Sequence, residues 1–288
     1  MNIPEKIDLH MHTTVSDGTD TPLEILKKVR EAGITFFSVT DHDAVKGSQI
    51  IKAALTDGDP RFISGAEFSC RDEEGKYHIL GYHYDPEAPS IQELIKKGHD
   101  LRITKVAARV EFIKTEFGFS FSQEDIDWLF SRDNPGKPHI AALMEKYGYA
   151  KDKKEAFQKY LNKLHFKSMY IRPEDAVMAI LQGGGIPVLA HPPYGDGDQN
   201  ILDDELKQRV KRLMHMGIKG MECFYSQYSP KMVEQTLSIA SEYHLYVTAG
   251  SDYHGANKSM IRLAENGLDE YEGEIPEGLL RFLEDTRD

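Results

Sequence analysis

The sequence predicts an α/β fold in which strands alternate with helices around a parallel sheet or barrel, with one block of helices inserted. Three observations favour this class. Short apolar segments rich in β-branched and aromatic residues alternate with amphipathic segments near both ends of the 288-residue chain. Histidine and acidic residues repeatedly follow those apolar segments. Residues 90–172 contain helical patterns and no convincing strand. We therefore expect a discontinuous domain, residues 1–89 and 173–288, and a helical insertion or cap at 90–172.

The amino-terminal elements are predicted by local signals. In the first strand, Ile7, Leu9 and Met11 alternate with polar residues. The segment from Thr21 has the form of a capping box with proline at the first helical position, and this helix ends at Gly33. The pattern then predicts strands at residues 34–40, 61–66 and 77–82, and a helix at 45–55.

The rest of the chain repeats these signals. Helices are predicted in the insertion at residues 91–117, after Ser122, from Pro138 and at 152–164. Strands then alternate with helices again, at residues 186–190, 218–224 and 245–249. Seven strands are predicted in total. Active sites of such folds lie at the carboxyl ends of the parallel strands.

Composition and charge limit the possible functions. The chain is 40% hydrophobic and 28% charged, and no apolar run approaches the roughly 18 residues of a membrane span. Two cysteines, Cys70 and Cys223, are too few for a disulfide framework, which predicts reduced thiols in a cytoplasmic protein. The net charge of −12 argues against a broad electrostatic contact with long nucleic acid, but bound cations would allow a small phosphorylated substrate.

A metal site is predicted around the first strand. His10 and His12 are two residues apart, so their side chains point to one face of the strand and can bind one ion. Imidazole suits a divalent transition metal, and Asp17 adds an oxygen ligand on the following turn. Further candidates fall at predicted strand ends, namely His42, Glu67, His191, Asp252 and His254. His78 lies near the start of its predicted strand, so we expect that strand to run in a different direction.

Two further acidic residues, Asp41 and Glu222, each have more than one possible role. Asp41 either orients His42 or another ligand, or forms a turn. Glu222 lies inside an apolar strand, which is costly unless its side chain faces a polar site.

Several motifs, in this order, resemble those of the PHP (polymerase and histidinol phosphatase) family. They are Asp8-Leu9-His10-Met11-His12 with Ser16-Asp17-Gly18, Thr40-Asp41-His42, Gly65-Ala66-Glu67, His78, Leu189-Ala190-His191-Pro192 and Gly250-Ser251-Asp252-Tyr253-His254-Gly255. The resemblance implies a distorted seven-stranded (β/α) barrel similar to a TIM barrel, here carrying the helical insertion.

The resemblance also implies two or three divalent metal ions. The first would be bound by His10, His12, Glu67 and Asp252; the second by Glu67, His78 and His191; the third by Asp17, His42 and His254. Glu67 would bridge the first two. Nitrogen and oxygen ligands without thiolate suit manganese, iron or zinc.

Within the family, the chain is similar to small bacterial phosphoesterases that act on nucleotides, including nucleoside 3′,5′-bisphosphates, and in some cases on the 5′ ends of short RNA. The segment Lys137-Pro138-His139-Ile140-Ala141 resembles their Arg-Pro-His-Ile-Ala motif. Lysine replaces arginine here, which exchanges a bidentate phosphate clamp for a point charge.

These observations predict metal-dependent hydrolysis of a nucleotide phosphomonoester, in which a metal-bridging hydroxide attacks phosphorus. Glu67, Asp252 and His254 are the predicted catalytic residues, and either of the last two would relay a proton. Substrate contacts are predicted for Lys137, His139, Tyr194, Tyr225, Lys258 and Arg262. The alternatives are a phosphatase acting on histidinol phosphate or another small molecule, an amidohydrolase-type barrel, and a non-catalytic binding module stabilised by metal.

Overall fold

The computed structural model describes residues 6–195 and 199–287. Its strands are β1 (Ile7–Asp8), β2 (Phe36–Phe37), β3 (Arg61–Phe62), β4 (Gly65–Asp72), β5 (Gly75–Tyr82), β6 (Ile186–Leu189), β7 (Gly220–Tyr225) and β8 (Tyr246–Gly250). Its α-helices are α1 (Pro22–Glu31), α2 (Lys46–Ala54), α3 (Pro89–Phe117), α4 (Gln123–Phe130), α5 (Lys137–Lys146), α6 (Lys153–Lys159), α7 (Pro173–Gln182), α8 (Asp203–Met216), α9 (Pro230–Glu242) and α10 (Glu277–Asp285). None of these helices is long and apolar enough to span a membrane.

The strands form two sheets. Strands β1, β2 and β3 form a parallel sheet, and the other five follow the order β4-β5-β6-β7-β8. Strand β5 is antiparallel to both β4 and β6, whereas β6, β7 and β8 are parallel. The prediction that the strand of His78 runs in a different direction is therefore confirmed.

The α/β class is confirmed, but the strand count is not. The described residues form eight strands in two sheets, and a single closed seven-stranded barrel is not found among them. The predicted strand at 61–66 is divided into β3 and β4, so Glu67 is the third residue of β4 and does not follow a strand end. Two isolated bridges connect the sheets, from Met11 to Tyr253 and from His42 to Glu67.

Local signals account for several helix boundaries. The Thr21 side chain accepts a hydrogen bond from the Glu24 backbone, and the Glu24 carboxylate accepts one from the Thr21 backbone at 2.7 Å, so the predicted capping box is present. The chain turns after α1 at Gly33, whose φ of 66° is a conformation that glycine adopts without strain. Ser122 caps α4 in the same way, by accepting from the Asp125 backbone.

The apolar core is divided between the two parts of the chain. The largest buried cluster packs α7, α8 and α10 against the five-stranded sheet. A separate buried cluster contains only residues between 106 and 161, which belong to the helical segment. Helix α3 contacts both α7 and α5 and so connects the two parts.

Candidate metal centre

The first and last motifs lie side by side. The backbone N–H of Asp252 donates to the carbonyl of His10 at 2.7 Å, and the N–H of His12 donates to the carbonyl of Tyr253 at 2.9 Å. These two hydrogen bonds extend the backbone pairing between the segments that follow β1 and β8. They thereby bring the two segments with candidate ligands together. Asp252 has a φ of 58° and His191 a φ of 28°, which are strained values for residues other than glycine. Strain of this kind is concentrated at functional sites.

Glu67 is the centre of the cluster, and its side chain is only 1% exposed. Its Oε2 atom lies 3.0 Å from Nδ1 of His42 and 3.2 Å from Nε2 of His12. The same oxygen lies 3.4 Å from Nε2 of His10. Its Oε1 atom lies 2.8 Å from Nδ1 of His78 and 3.2 Å from Nε2 of His191. One carboxylate therefore contacts five histidines.

The position of Glu67 follows from the register of β4 and β5. Ser69 pairs with His78 across the two strands, and residues directly opposite each other share one face. Glu67 is two residues before Ser69, so it shares that face as well. The antiparallel hairpin, which the sequence did not predict as the source of Glu67, thus delivers both Glu67 and His78.

The remaining predicted ligands complete the cluster. Oδ1 of Asp252 lies 3.3 Å from Nε2 of His12 and 3.3 Å from Nδ1 of His254. Oδ1 of Asp17 lies 3.2 Å from Nε2 of His254, and its Oδ2 lies 4.0 Å from Nε2 of His42. All nine predicted ligands are therefore brought together.

Three groups within this cluster have potential ligand atoms no more than 4.8 Å apart. They are His10, His12 and Glu67; His42, Glu67 and His78; and His12, Asp17, His42 and His254. The groups overlap more than the implied sets, because Glu67, His12 and His42 each belong to two of them. His191 remains close to the second group, since its Nε2 lies 3.2 Å from Nδ1 of His78.

The residues present fit divalent metal ions. Among the residues that the structure describes, five buried polar atoms of the cluster have no hydrogen-bond partner, namely Nε2 of His10, Nε2 of His12, Nδ1 of His42, Oδ1 of Asp17 and Oε2 of Glu67. Leaving such an atom without a partner costs about 1–3 kcal/mol. Cations bound among these nitrogen and oxygen atoms would satisfy them together.

Burial and neighbouring charges have opposite effects on the pKa values of the side chains in the cluster. Burial opposes ionisation of Glu67, but His78, His42 and His10 outweigh it and hold the pKa of that carboxyl well below its usual range. Burial lowers the pKa of His78 to about 4, so this imidazole is neutral at pH 7 and able to bind a metal. The pKa of His12 is instead raised to about 9, because Asp252 and Glu67 outweigh burial. Metal binding would displace the proton of His12.

Two buried carboxylates, those of Glu222 and Asp41, contact the candidate ligands or the segments that carry them. Oε1 of Glu222 lies 3.0 Å from Nδ1 of His10, and Oε2 accepts a hydrogen bond from the His191 backbone at 2.9 Å. Glu222 thus faces the polar site, as expected from the sequence, because an acidic side chain inside an apolar strand is otherwise costly to bury. The Asp41 carboxylate accepts hydrogen bonds from the Thr13 backbone and hydroxyl and from the Ser16 hydroxyl, which lies 3.4 Å from Nδ1 of His12.

Sequence reasoning assigned no role to Asp8. Its carboxyl accepts from the Ser251 backbone and hydroxyl and from the Ala264 backbone, and burial raises its pKa to about 6. The sequence did contain a signal for Asp8, because it is an acidic residue between apolar residues in the strand that leads to His10. Asp8 joins β1 to the segment after β8.

Three predicted substrate residues line a cavity of about 430 Å³ beside the cluster. They are Tyr194, Tyr225 and Lys258, which share it with His42, His78, His191 and Asp252. The Tyr225 hydroxyl donates to Oδ2 of Asp252 at 2.7 Å, and the Lys258 ammonium also donates to this oxygen. The Tyr194 hydroxyl donates to the Gln227 carbonyl.

The other three predicted substrate residues lie elsewhere. Lys137 lines a smaller cavity on the side of the helical segment. Nδ1 of His139 accepts from the Gly136 backbone at 3.1 Å, so this side chain caps α5 and does not line either cavity. Arg262 is 82% exposed and pairs with Glu265, because the short helix after His254 directs Lys258 towards the cluster but leaves Arg262 on the surface.

Comparisons with known proteins agree with this geometry. The family model described as PHP domain matches residues 8–221. The chain is 27% identical over 255 residues to a 3′,5′-nucleoside bisphosphate phosphatase from Chromobacterium violaceum, covering 86% of this chain and 87% of the relative. It is 28% identical over 260 residues to the 5′-3′ exoribonuclease Rnm of Escherichia coli, covering 86% and 84%. A proposed metal-dependent phosphoesterase from Bifidobacterium adolescentis has a similar structure, with a TM-score of 0.79, 26% identity and coverage of 92% and 93%.

Proposed function

Because the chain belongs to the PHP domain family and is a metal-dependent phosphoesterase, we propose that it hydrolyses phosphomonoesters of nucleotides. The substrate would be a nucleoside 3′,5′-bisphosphate or the 5′ end of a short oligoribonucleotide. The observation that carries this proposal is the cavity of about 430 Å³ in which Tyr194 and Tyr225 adjoin the metal centre. The aromatic rings offer surfaces on which a base or sugar can stack. The names of two relatives, which act on nucleoside bisphosphates and on RNA, support the same class.

The nine clustered side chains would hold two or three divalent ions, with manganese, iron and zinc as the candidates. Such ions supply Lewis acidity and an activated nucleophile at neutral pH. Glu67 would contribute both oxygens. Glu222 orients the His10 ring through Nδ1 and leaves Nε2 directed at the cluster.

Asp252 and His254 are the candidates for moving a proton to the leaving group. Both line the cavity of about 430 Å³. Oδ2 of Asp252 already accepts from Tyr225 and Lys258, which leaves Oδ1 for the cluster. These contacts fix the carboxylate in one orientation.

The helical segment at 90–172 is proposed as a separate cap on a distorted barrel. Its own buried cluster, with residues only from 106 to 161, supports the division. The bridges from Met11 to Tyr253 and from His42 to Glu67 support the interpretation of the two sheets as parts of one barrel.

A cytoplasmic location is also proposed. Cys70 and Cys223 are both free and buried. Burial raises the pKa of both thiols, which keeps them unreactive. Free cysteines are typical of a reducing compartment.

The test is a comparison of kcat/KM across a panel of phosphomonoesters, with protein reconstituted separately with Mn²⁺, Fe²⁺ and Zn²⁺. We expect nucleoside 3′,5′-bisphosphates and short 5′-phosphorylated oligoribonucleotides to exceed sugar phosphates and histidinol phosphate. The amine of histidinol phosphate would gain nothing beside Lys258. A tenfold or greater preference for histidinol phosphate or a sugar phosphate would contradict the nucleotide assignment and leave phosphoesterase activity intact.

A further inference from the structure

The helical segment contacts the backbone of two segments that carry candidate ligands. Its loop between α4 and α5, residues 131–136, supplies two hydrogen bonds. The side-chain amide of Asn134 donates to the carbonyl of His42, and Nη2 of Arg132 donates to the carbonyl of Thr14 at 3.3 Å. Asn134 is 2% exposed, so its amide is shielded from water. The loop therefore lies directly on the chain that carries His42.

A further contact reaches Asp17 through two side chains. Nζ of Lys153 in α6 donates to Oδ1 of Asn257, which lies in the short helix after His254. Nδ2 of Asn257 in turn donates to the backbone carbonyl of Asp17 at 2.6 Å. The amide of Asn257 thus connects the helical segment to the turn that carries Asp17.

These contacts converge on one of the three groups of potential ligands, the one formed by His12, Asp17, His42 and His254. We call it the third group. Oδ2 of Asp17 and Nε2 of His42 lie 4.0 Å apart, which is beyond hydrogen-bond distance, so their mutual contact does not hold them in place. Their backbones are held instead, by Asn257 and by Asn134.

The other two groups are fixed from within the sheets. Glu222 on β7 contacts Nδ1 of His10 at 3.0 Å. The pairing of β4 with β5 fixes Glu67 and His78. A displacement of the helical segment should therefore change the geometry of the third group before that of the other two.

We propose that Asn134 and the Lys153–Asn257 pair are positioning residues for an ion in the third group, so that binding of this ion depends on the helical segment lying against the sheets. Contacts that orient metal ligands commonly change metal affinity by about 10- to 100-fold. Coupling of this kind is reciprocal, so the ion should in turn hold the helical segment in place. The inference rests on the proposed third ion and does not depend on the proposed substrate.

The experiment measures Mn²⁺ binding without substrate, as metal content after dialysis against graded concentrations of chelator. Asp17→Asn removes a ligand and so identifies the ion that belongs to the third group. Asn134→Leu removes the amide beneath His42, and Lys153→Met removes the donor to Asn257. We expect each of these two variants to weaken binding of that ion by about 10- to 100-fold and to leave the other ions unchanged.

Two further variants separate positioning from a loss of charge. Lys154→Met is the matched control, because Lys154 is the next residue of α6, is exposed and lines the same cavity of about 560 Å³ as Lys153. It should bind every ion as the wild-type protein does. Lys153→Arg keeps a cationic donor and should retain the third ion. In an Asp17→Asn background, Lys153→Met should cause no additional loss, because both changes act on the same ion.

Amide hydrogen exchange provides the reciprocal readout. Mn²⁺ should slow exchange at residues 131–136 of the wild-type protein and slow it less in Asp17→Asn. Metal-free Lys153→Met should have the Tm of the metal-free wild-type protein, because a substitution at a half-buried side chain with one such contact changes stability little. This comparison keeps the test valid even if Asn134→Leu, a change at a buried position, lowers stability.

Three results would overturn the inference. The first is wild-type affinity for every ion in both Asn134→Leu and Lys153→Met. The second is an equal weakening of all ions, because the contacts would then support the whole cluster and not one group. The third is the same metal content in Asp17→Asn and the wild-type protein, which would show that the third group binds no ion. None of these measurements includes a substrate, so the panel of phosphomonoesters tests the proposed function separately.

Discussion

Oε1 of Glu222 lies 3.0 Å from Nδ1 of His10, and both side chains are completely buried. The other oxygen of Glu222 accepts from the backbone of His191. One acid on β7 therefore orients a candidate ligand on the first motif and the loop that carries another. Contacts of this kind fix the tautomer and orientation of a metal-binding histidine.

Glu222→Gln should lower metal affinity by about 10- to 100-fold, since the amide is a weaker acceptor for the His10 N–H. The measurement is metal content after dialysis against graded concentrations of chelator. Glu242→Gln, on the exposed surface of α9, is a control that should retain wild-type affinity. Unchanged affinity in Glu222→Gln would show that the carboxylate has only a packing role.

Glu67→Gln should lower kcat more than His42→Ala. Glu67 contacts five histidines, whereas His42 lies within 4.0 Å of two carboxylates, those of Glu67 and Asp17. Loss of a shared ligand should cost several kcal/mol of transition-state stabilisation, or about 10³-fold in kcat. We expect roughly 10- to 100-fold for His42→Ala. Equal losses at equal metal content would contradict the central role of Glu67.

Chelation should destabilise the protein as well as abolish activity. The five buried atoms without partners become a cost once cations are removed. Binding at 100 times Kd contributes about 2.7 kcal/mol to the free energy of unfolding, so Tm should fall by several degrees and recover with Mn²⁺. An identical Tm with and without chelator, measured by calorimetry, would mean that the cluster is satisfied by protons alone.

His139 should make stability depend on pH. Burial lowers its folded pKa to about 4, against a usual value of 6.5. Between these values the unfolded chain binds more protons, so the free energy of unfolding falls as the pH falls from 6.5 to 4. The total change should be at most about 3 kcal/mol. His139→Gln should flatten this slope in urea titrations at successive pH values, whereas His215→Gln, on the exposed side of α8, should retain it. A wild-type slope in His139→Gln would contradict the prediction.

Much of the fold and the metal centre could be predicted because the signals are local. The capping box at Thr21, the glycine after α1 and the alternation around His10 and His12 depend on neighbouring residues alone. Ligands at or near strand ends converge whenever the strands are parallel, so nine candidates could be named without coordinates. The predicted position of Glu67 was wrong, however. Glu67 lies within the antiparallel hairpin of β4 and β5 and does not follow the end of a parallel strand.

What the sequence by itself determined is therefore the set of ligand-bearing segments, because strand period, turn residues and helix caps act over a few residues. Only the tertiary structure decided which charged side chains are buried and which charged groups they contact. Lys105 and Lys114 lie on the same helix, yet only the packing of α3 near the metal centre buries one and leaves the other in solvent. Lys258 and Arg262 are four residues apart, and the turn between them directs one to Asp252 and the other to the surface. Burial depends on contacts between segments distant in the chain, and those contacts set the cost of a charge and its partner.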